Sequence, residues 1–431
     1  MWQHIINCIG KRLNMSKNRG LKRVLGVKDA VGVGLGAIIG AGIFVVTGVA
    51  AGVTGASFIL ALLIAGVVAS FNGLSSAQLA AIYPQSGGTY EYGYRVLNPA
   101  LGFSAGWMFL LSKLSAAGIV AIGFGSYFHQ LIPFISPLTY SVAAVVVLTA
   151  ANLWGIQKAG TINLIIVGIT LLSLLYFIAG GVGNIETTNF EPFFNNGIVG
   201  LTESAAILFF AFTGYARIAT LAEEVVEPRR TIPRAVIITL ILAIVLYMGV
   251  SVVATGVVGA DELAASRSPL QTAASAMTLP GMMPVIVLGA STAMLGVLLS
   301  QILGISRMLF AMGRRGDLPA RFEQVNSTTQ VPVMGILFTG VVILLITLFG
   351  TFEFVVRSAT FTILLYYSIT NIAAIRQPKT EQIFGKVIPW LGLAGCLLMS
   401  VSLPGEVIIS GLLLLAVGFL FRFLFRKSKR N

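Results

Sequence analysis

Gly36-Ala-Ile-Ile-Gly-Ala-Gly42 stands in the middle of an apolar run that covers residues 29–53. Helix propensity gives no reason for three glycines at the centre of a membrane-spanning length. Glycine lets the backbone leave helical geometry, and irregular backbone survives at membrane depth only where protein or a polar cavity covers it. The stretch therefore predicts a helix broken at mid-membrane. Such a break exposes amide N–H groups at one new helix end and carbonyls at the other, which suits a small zwitterion.

The rest of the chain is consistent with that setting. Hydrophobic residues make up 56% of the 431 and charged residues only 10%, a balance foreign to soluble domains. About twelve apolar runs approach the roughly 20 residues needed to cross the hydrocarbon core. They lie near 29–53, 56–82, 99–131, 138–155, 161–181, 197–221, 232–259, 281–313, 333–349, 354–375, 387–403 and 405–423. The expected fold is an all-α polytopic membrane protein of about 12 helices. It forms one transmembrane domain over 29–425, embedded in the lipid bilayer of the cell membrane, with no room for a sizeable soluble domain.

The net charge of +13 invites a nucleic-acid reading until it is laid on this topology. With the N-terminus inside, 25 of the 28 lysines and arginines fall on that side; Arg267 and Arg357 lie outside and Lys113 lies within a span. The bias places both termini in the cytoplasm. The arm 1–28 lacks a continuous apolar core and a small-residue cleavage site, so no removable signal peptide is expected. The basic tail 426–431 reads as a topology and headgroup anchor, not a nucleic-acid site. Cys8 and Cys396 are expected as free thiols.

A second glycine-centred interruption occurs at Phe209-Phe-Ala-Phe-Thr-Gly-Tyr215. Two interrupted spans in corresponding places suggest an inverted repeat, with the site between them. The first repeat would be 29–181 and the inverted second one 197–376, followed by two extra helices over 387–425. Among the connections, Thr231 is a candidate helix cap with Pro233 in its first turn. Ser268-Pro-Leu270 predicts the start of a short surface helix.

At the first break, carbonyls of Ile38 and Ile39 and N–H groups around Ala41, Gly42 and Ile43 lose their helical partners. A helix N-terminus carries roughly half a positive charge, so a carboxylate fits there on backbone donors alone. An ammonium fits the carbonyls. Helix packing is an equally weighted reading of this stretch alone, since Gly32, Gly36 and Gly40 form a small-residue ridge; the second break tips the balance to ligand binding. In the sixth span, carbonyls of Phe210, Ala211 and Thr213, next to Gly214, can face the same cavity. Phe210 and Phe212 are candidates to close over a ligand, although such a pair in a span is more often core or lipid-facing.

Lys113 is the one charge deep in a span. It is either a functional group or a structural lysine paired with carbonyls or snorkelling to the interface, and the two readings weigh about equally. Glu223 and Glu224, among Arg217, Arg229 and Arg230, could form a gate network; solvated interfacial pairs contribute little. His4 and His129 carry no assigned role. The sequence holds no metal-spaced ligand set, nucleophile elbow or Walker loop. No enzyme activity and no cofactor is expected, and transport would run on a gradient or exchange.

Four motifs resemble those of the amino acid–polyamine–organocation (APC) superfamily of permeases, especially bacterial permeases related to cationic amino-acid transporters. They are Gly36-Ala-Ile-Ile-Gly-Ala-Gly-Ile-Phe44; Tyr83-Pro-Gln-Ser-Gly-Gly-Thr-Tyr-Glu-Tyr92 with Gly102-Phe-Ser-Ala-Gly-Trp107; Phe210-Ala-Phe-Thr-Gly214 with Ala222-Glu-Glu-Val-Val-Glu-Pro-Arg-Arg-Thr-Ile-Pro233; and Ser306-Arg-Met-Leu-Phe-Ala-Met-Gly-Arg-Arg-Gly-Asp-Leu-Pro319. The resemblance implies the LeuT-like five-plus-five fold with helices 1 and 6 broken. It also implies alternating access around a free amino acid, with a proton or sodium as a possible coupling ion. It implies that Gly40, Ala41 and Gly42 hold the substrate carboxylate, and that carbonyls of Ile38, Phe210, Ala211 and Thr213 hold its amino group.

This chain departs from that pattern. Where some relatives carry a lysine in helix five, counting from Asn163 places Thr170, and where many have an acid after the second break this chain has Ala216-Arg217. Lys113 is therefore a candidate replacement for the missing coupling charge. The expected substrate is neutral and of modest size, because no acid is placed to meet a cationic side chain and Ala41, Ala116 and Ala117 leave room. The alternatives are an exchanger of polyamines or cationic amino acids, which Glu223 or Glu224 would support, and a non-transporting amino-acid sensor, which the short C-terminal tail disfavours.

Overall fold

A computed structural model describes residues 25–428, except 85, 86, 155–158, 221, 223 and 328. Among them the chain is helical with no strand; one isolated bridge joins Leu25 to Val225. The expectations for most of the N-terminal arm, for Cys8, His4 and Glu223, and for the last three residues of the tail lie outside the described residues.

Helices occupy every apolar run. In chain order they are α1 (Val27–Ile38), α2 (Thr47–Thr54), α3 (Phe58–Ile82), the short α4 (Thr89–Tyr92), α5 (Pro99–His129), α6 (Pro137–Leu153), α7 (Ala159–Gly181) and α8 (Gly197–Phe209). They continue with α9 (Ala216–Thr220), α10 (Pro228–Ala265), α11 (Pro269–Ser275), α12 (Met282–Arg315), α13 (Val333–Phe349), α14 (Phe352–Arg376), α15 (Val387–Val401) and α16 (Gly405–Ser428). Eight helical stretches among the described residues are long and apolar enough to cross a membrane, one being the composite Val27–Ile82; α6, α13 and α15 are shorter apolar helices. The chain is a multi-pass membrane protein.

Local chemistry explains several boundaries. The Asn98 side chain accepts the Ala100 and Leu101 amides at 3.0 and 2.9 Å, with Pro99 at the first helical position of α5, where its missing N–H costs nothing. The Ser136 hydroxyl caps α6 by accepting the Thr139 amide, ahead of Pro137. The start of α10 differs from expectation. It begins at Pro228, so Thr231 lies in the first turn, not at the cap, and Pro233 falls inside the helix. Glu227 takes the capping place in a left-handed conformation, φ 45°, and its carbonyl accepts the Arg230 and Thr231 amides. Proline at position 228 already supplies a helix-compatible φ, so the helix starts there instead. The predicted surface helix at 268–270 is α11.

Packing sorts the long helices into two groups. The segments α1 and α2 lie along α10, which also packs on α3, and α3 packs on α8. In the other group α12 packs on α5, α7 and α13, while α6 packs on α5 and α13. α14 lies along α5 and also reaches α3 and α15. Polar side chains join α14 to α3 in the interior: the Asn371 amide donates to Asn72 Oδ1 at 2.6 Å, and the Gln78 amide to Gln377 Oε1 at 2.8 Å. In an apolar interior such groups need partners of their own.

Candidate functional site

The first interruption falls where the glycines place it. α1 ends at Ile38, and Ile39 turns extended (φ −77°, ψ 106°) while its amide still bonds the Leu35 carbonyl at 2.8 Å. The helix restarts at Ala41 and runs through a five-residue π-helical turn, Gly42–Val46, into α2. The amides of Ala41, Gly42 and Ile43 thus occupy a first turn, where a helix offers no internal acceptors. Ile38, Ile39, Ala41 and Ile43 are all buried.

The second interruption is milder than expected. α8 does not unwind; it tightens into a 3₁₀ stretch, Phe210–Tyr215, and relaxes into α9. The reason is close contact. A β-carbon on Gly214 would lie 2.2 Å from the Ala37 carbonyl oxygen and 2.4 Å from the Ile38 nitrogen. One on Gly42 would lie 2.6 Å from the Ala211 α-carbon. The two interrupted segments therefore cross backbone on backbone, and each supplies a glycine at the crossing. The small-residue ridge is used as well, with Gly32 against Leu164 of α7 and Gly40 against Val297 of α12. The packing role read from this stretch is thus present in the structure.

Three buried tyrosines from three helices aim hydroxyls at the interrupted segments. Tyr247 of α10 donates to the Ile38 carbonyl at 2.9 Å, Tyr367 of α14 to the Thr213 carbonyl at 3.2 Å, and Tyr127 of α5 to the Phe44 carbonyl at 2.5 Å. The Thr213 hydroxyl donates to the Phe210 carbonyl at 3.0 Å. These tyrosines escaped the sequence reading. The available signal was a hydroxyl inside an apolar span, which needs a partner when buried.

The other candidates separate. Phe210 keeps slight exposure, whereas Phe212 is fully buried, with its ring 5.3 Å from that of Tyr247 and its edge toward Gly66 of α3; it belongs to the core between α3 and α10. Lys113 is buried on α5, its Nζ 5.9 Å from the Phe109 ring centre and within electrostatic range of Arg217 on α9. Thr170 is buried on α7. Its hydroxyl bonds the Ile166 carbonyl at 2.8 Å and reaches that of Gly289 on α12 at 3.5 Å. Glu224 contributes its carbonyl to the Leu25 amide at 3.0 Å, tying the entry of α1 to the loop before α10. Ala116 and Ala117 are buried on α5.

A charged cluster at the basic-loop face also went unread in the sequence. Asp317, just past α12 and fully buried, accepts the Tyr90 hydroxyl at 2.8 Å, the Tyr94 hydroxyl and Arg422 Nε at 3.0 Å. Glu91 pairs with Arg95 at 2.6 Å and with Arg315. Outside the membrane-spanning segments, burial and the Asp317 carboxylate push the Tyr90 phenol far above its ordinary value, so it stays a donor. On the opposite face Arg357 pairs with Glu203 at 2.9 Å, which neutralises one of the two basic residues outside the charge bias.

Comparison with known proteins follows the same line. Residues 29–428 match the model of the amino acid permease family. The chain is similar to an uncharacterized transporter of Mycobacterium tuberculosis, 38% identical over 92% of this chain and 90% of that one. It is similar to the branched-chain amino acid permease BcaP of Bacillus subtilis, 28% identical over 96% of each. It is also similar to the mitochondrial cationic amino acid transporter 3 of Arabidopsis thaliana, 31% identical over 77% of this chain and 58% of that one. The crossed, interrupted helices thus sit in a membrane transport protein, not an enzyme, and the chain belongs to the amino acid permease family of the APC superfamily.

Proposed function

We propose that this permease is a secondary transporter of free neutral amino acids, working by alternating access and driven by an ion gradient or by exchange. The carrying observation is the crossing of the two interrupted segments, Gly42 on Ala211 and Gly214 on Ala37, in a chain of this family. The crossing brings helix-start amides and redirected carbonyls to one buried place. The substrate carboxylate docks on the amides of Gly40, Ala41 and Gly42. Its ammonium is met by carbonyls of Ile38, Ile39, Phe210, Ala211 and Thr213, beside Gly214, with Phe210 flanking the site. The relatedness to a branched-chain permease favours an apolar side chain.

The same reading includes twelve spans, the five-plus-five repeat at 29–181 and 197–376 with two extra helices, and both termini in the cytoplasm of a cell-membrane protein. The basic loops at one face support that orientation. Lys113 takes the coupling role that the resemblance gives to the position of Thr170, with a proton or sodium as the ion.

Uptake of radiolabelled amino acids into proteoliposomes tests the specificity. Saturable leucine or alanine uptake that arginine does not inhibit is expected; strong arginine transport without leucine or alanine transport overturns the neutral reading.

A further inference from the structure

We propose that the Tyr127 hydroxyl is a positioning group that links occupancy of the first helix interruption to the seating of the surface helix α11. The inference rests on the amino-acid site described above and adds the element that senses it. Tyr127 is fully buried near the end of α5. Its single hydroxyl joins two backbone segments from opposite sides: it donates to the Phe44 carbonyl at 2.5 Å and accepts the Leu270 amide at 3.3 Å. Its ring also meets that of Phe44 edge-on at 5.9 Å.

Both ends of this bridge are placed to move. Phe44 lies in the π-helical turn, two residues after Gly42, whose amide opens the turn. A π turn is a wide, single-turn departure from the α-helix and concentrates at functional sites. A ligand that draws in the amide of Gly42 re-aims the carbonyls that follow it. At the other end, Leu270 is the first residue of α11 with an N–H, because Pro269 precedes it. A first-turn amide has no acceptor within its helix, and Tyr127 supplies one.

Local hydrogen bonds hold the start of α11 together. Ser268 Oγ donates to Gln271 Oε1 at 2.7 Å, and the Ser266 and Thr272 hydroxyls meet at 2.7 Å. This strap lies on α2, where a β-carbon at Gly48 would lie 3.3 Å from Pro269 Cγ and from the Ser266 carbonyl oxygen, and 2.7 Å from the carbonyl oxygen of Leu263 at the end of α10. Tyr127 is the polar tie between that strap and the interrupted segment, and it ties them through backbone atoms that substitution elsewhere leaves intact.

Hydrogen exchange of the peptide 263–275, with and without L-leucine, tests the link in purified wild type, Tyr127→Phe and Gly48→Ala. The Phe variant keeps the ring and removes both bonds. Without ligand, its exchange should be roughly fivefold to tenfold faster than wild type, the factor that loss of about one hydrogen bond gives. Leucine should slow exchange in wild type and in Gly48→Ala, which loosens the strap by crowding, but not in Tyr127→Phe. Wild-type exchange rates in the unliganded Phe variant overturn the proposal. So does an equal leucine response in all three proteins, which is what a merely structural tyrosine would give. Uptake in proteoliposomes separates the two readings. A wild type that takes up no amino acid overturns the site and the link together, whereas normal uptake with no leucine effect on this peptide overturns the link alone.

Discussion

Gly214 rests on the Ala37 carbonyl so closely that an added methyl group would be 2.2 Å from its oxygen. No rotamer change relieves that contact, because both partners are backbone. Gly214→Ala should therefore force the two interrupted segments apart. Overpacking costs about 1–3 kcal/mol, and here it also displaces the proposed ligand groups. The thermal midpoint in detergent should fall and leucine uptake should be lost. Gly40→Ala is the contrast, since its new methyl group meets only the Val297 side chain, at 2.9 Å, which can turn away. A Gly214→Ala protein as stable and active as wild type would remove the crossing from the argument.

Tyrosines at the interruptions should behave differently from a tyrosine without a partner. Tyr247→Phe and Tyr367→Phe each leave a buried carbonyl without its donor, a cost of about 1–3 kcal/mol. Each should lower the thermal midpoint and raise the KM for leucine. The Tyr92 hydroxyl is buried with no hydrogen-bond partner, so Tyr92→Phe should be neutral or stabilising. Melting curves of the three variants check the order.

The Asp317–Arg422 pair should show strong coupling. Both groups are buried, and either alone would be an uncompensated charge. Asp317→Asn or Arg422→Met singly should destabilise by about 3–5 kcal/mol. The double variant should lose clearly less than the sum, because no lone charge remains. A double-mutant cycle in detergent measures this, and additive losses would show that the pair is not coupled.

Lys113 should carry the coupling step. In proteoliposomes with an imposed pH gradient, Lys113→Ala and Lys113→Arg should both change the proton dependence of uptake while exchange of preloaded amino acid persists. Unchanged proton dependence in both variants would return Lys113 to a structural role.

Much of the fold was legible along the chain because membrane depth leaves the backbone few options. The apolar runs coincide with helices, and the interruption at Gly40 is where glycine density predicts it. The second interruption was located correctly but its form was not, since a 3₁₀ tightening in place of unwinding depends on how closely Ala37 approaches Gly214. The capping of α10 went to Glu227 and Pro228, not to Thr231, because an earlier proline suited to a helix start competes locally.

The sequence by itself determined the membrane class, the helical runs, the charge bias and the position of the glycine interruption, all of which follow from local composition and spacing. Only the tertiary structure decided which atoms meet at that interruption. Gly42 and Ala211 are 169 positions apart, Tyr127 reaches Leu270, and Asp317 finds Arg422. Contacts of that range depend on how helices are packed against one another, and the periodicity of a single helix does not encode which distant helix will lie beside it.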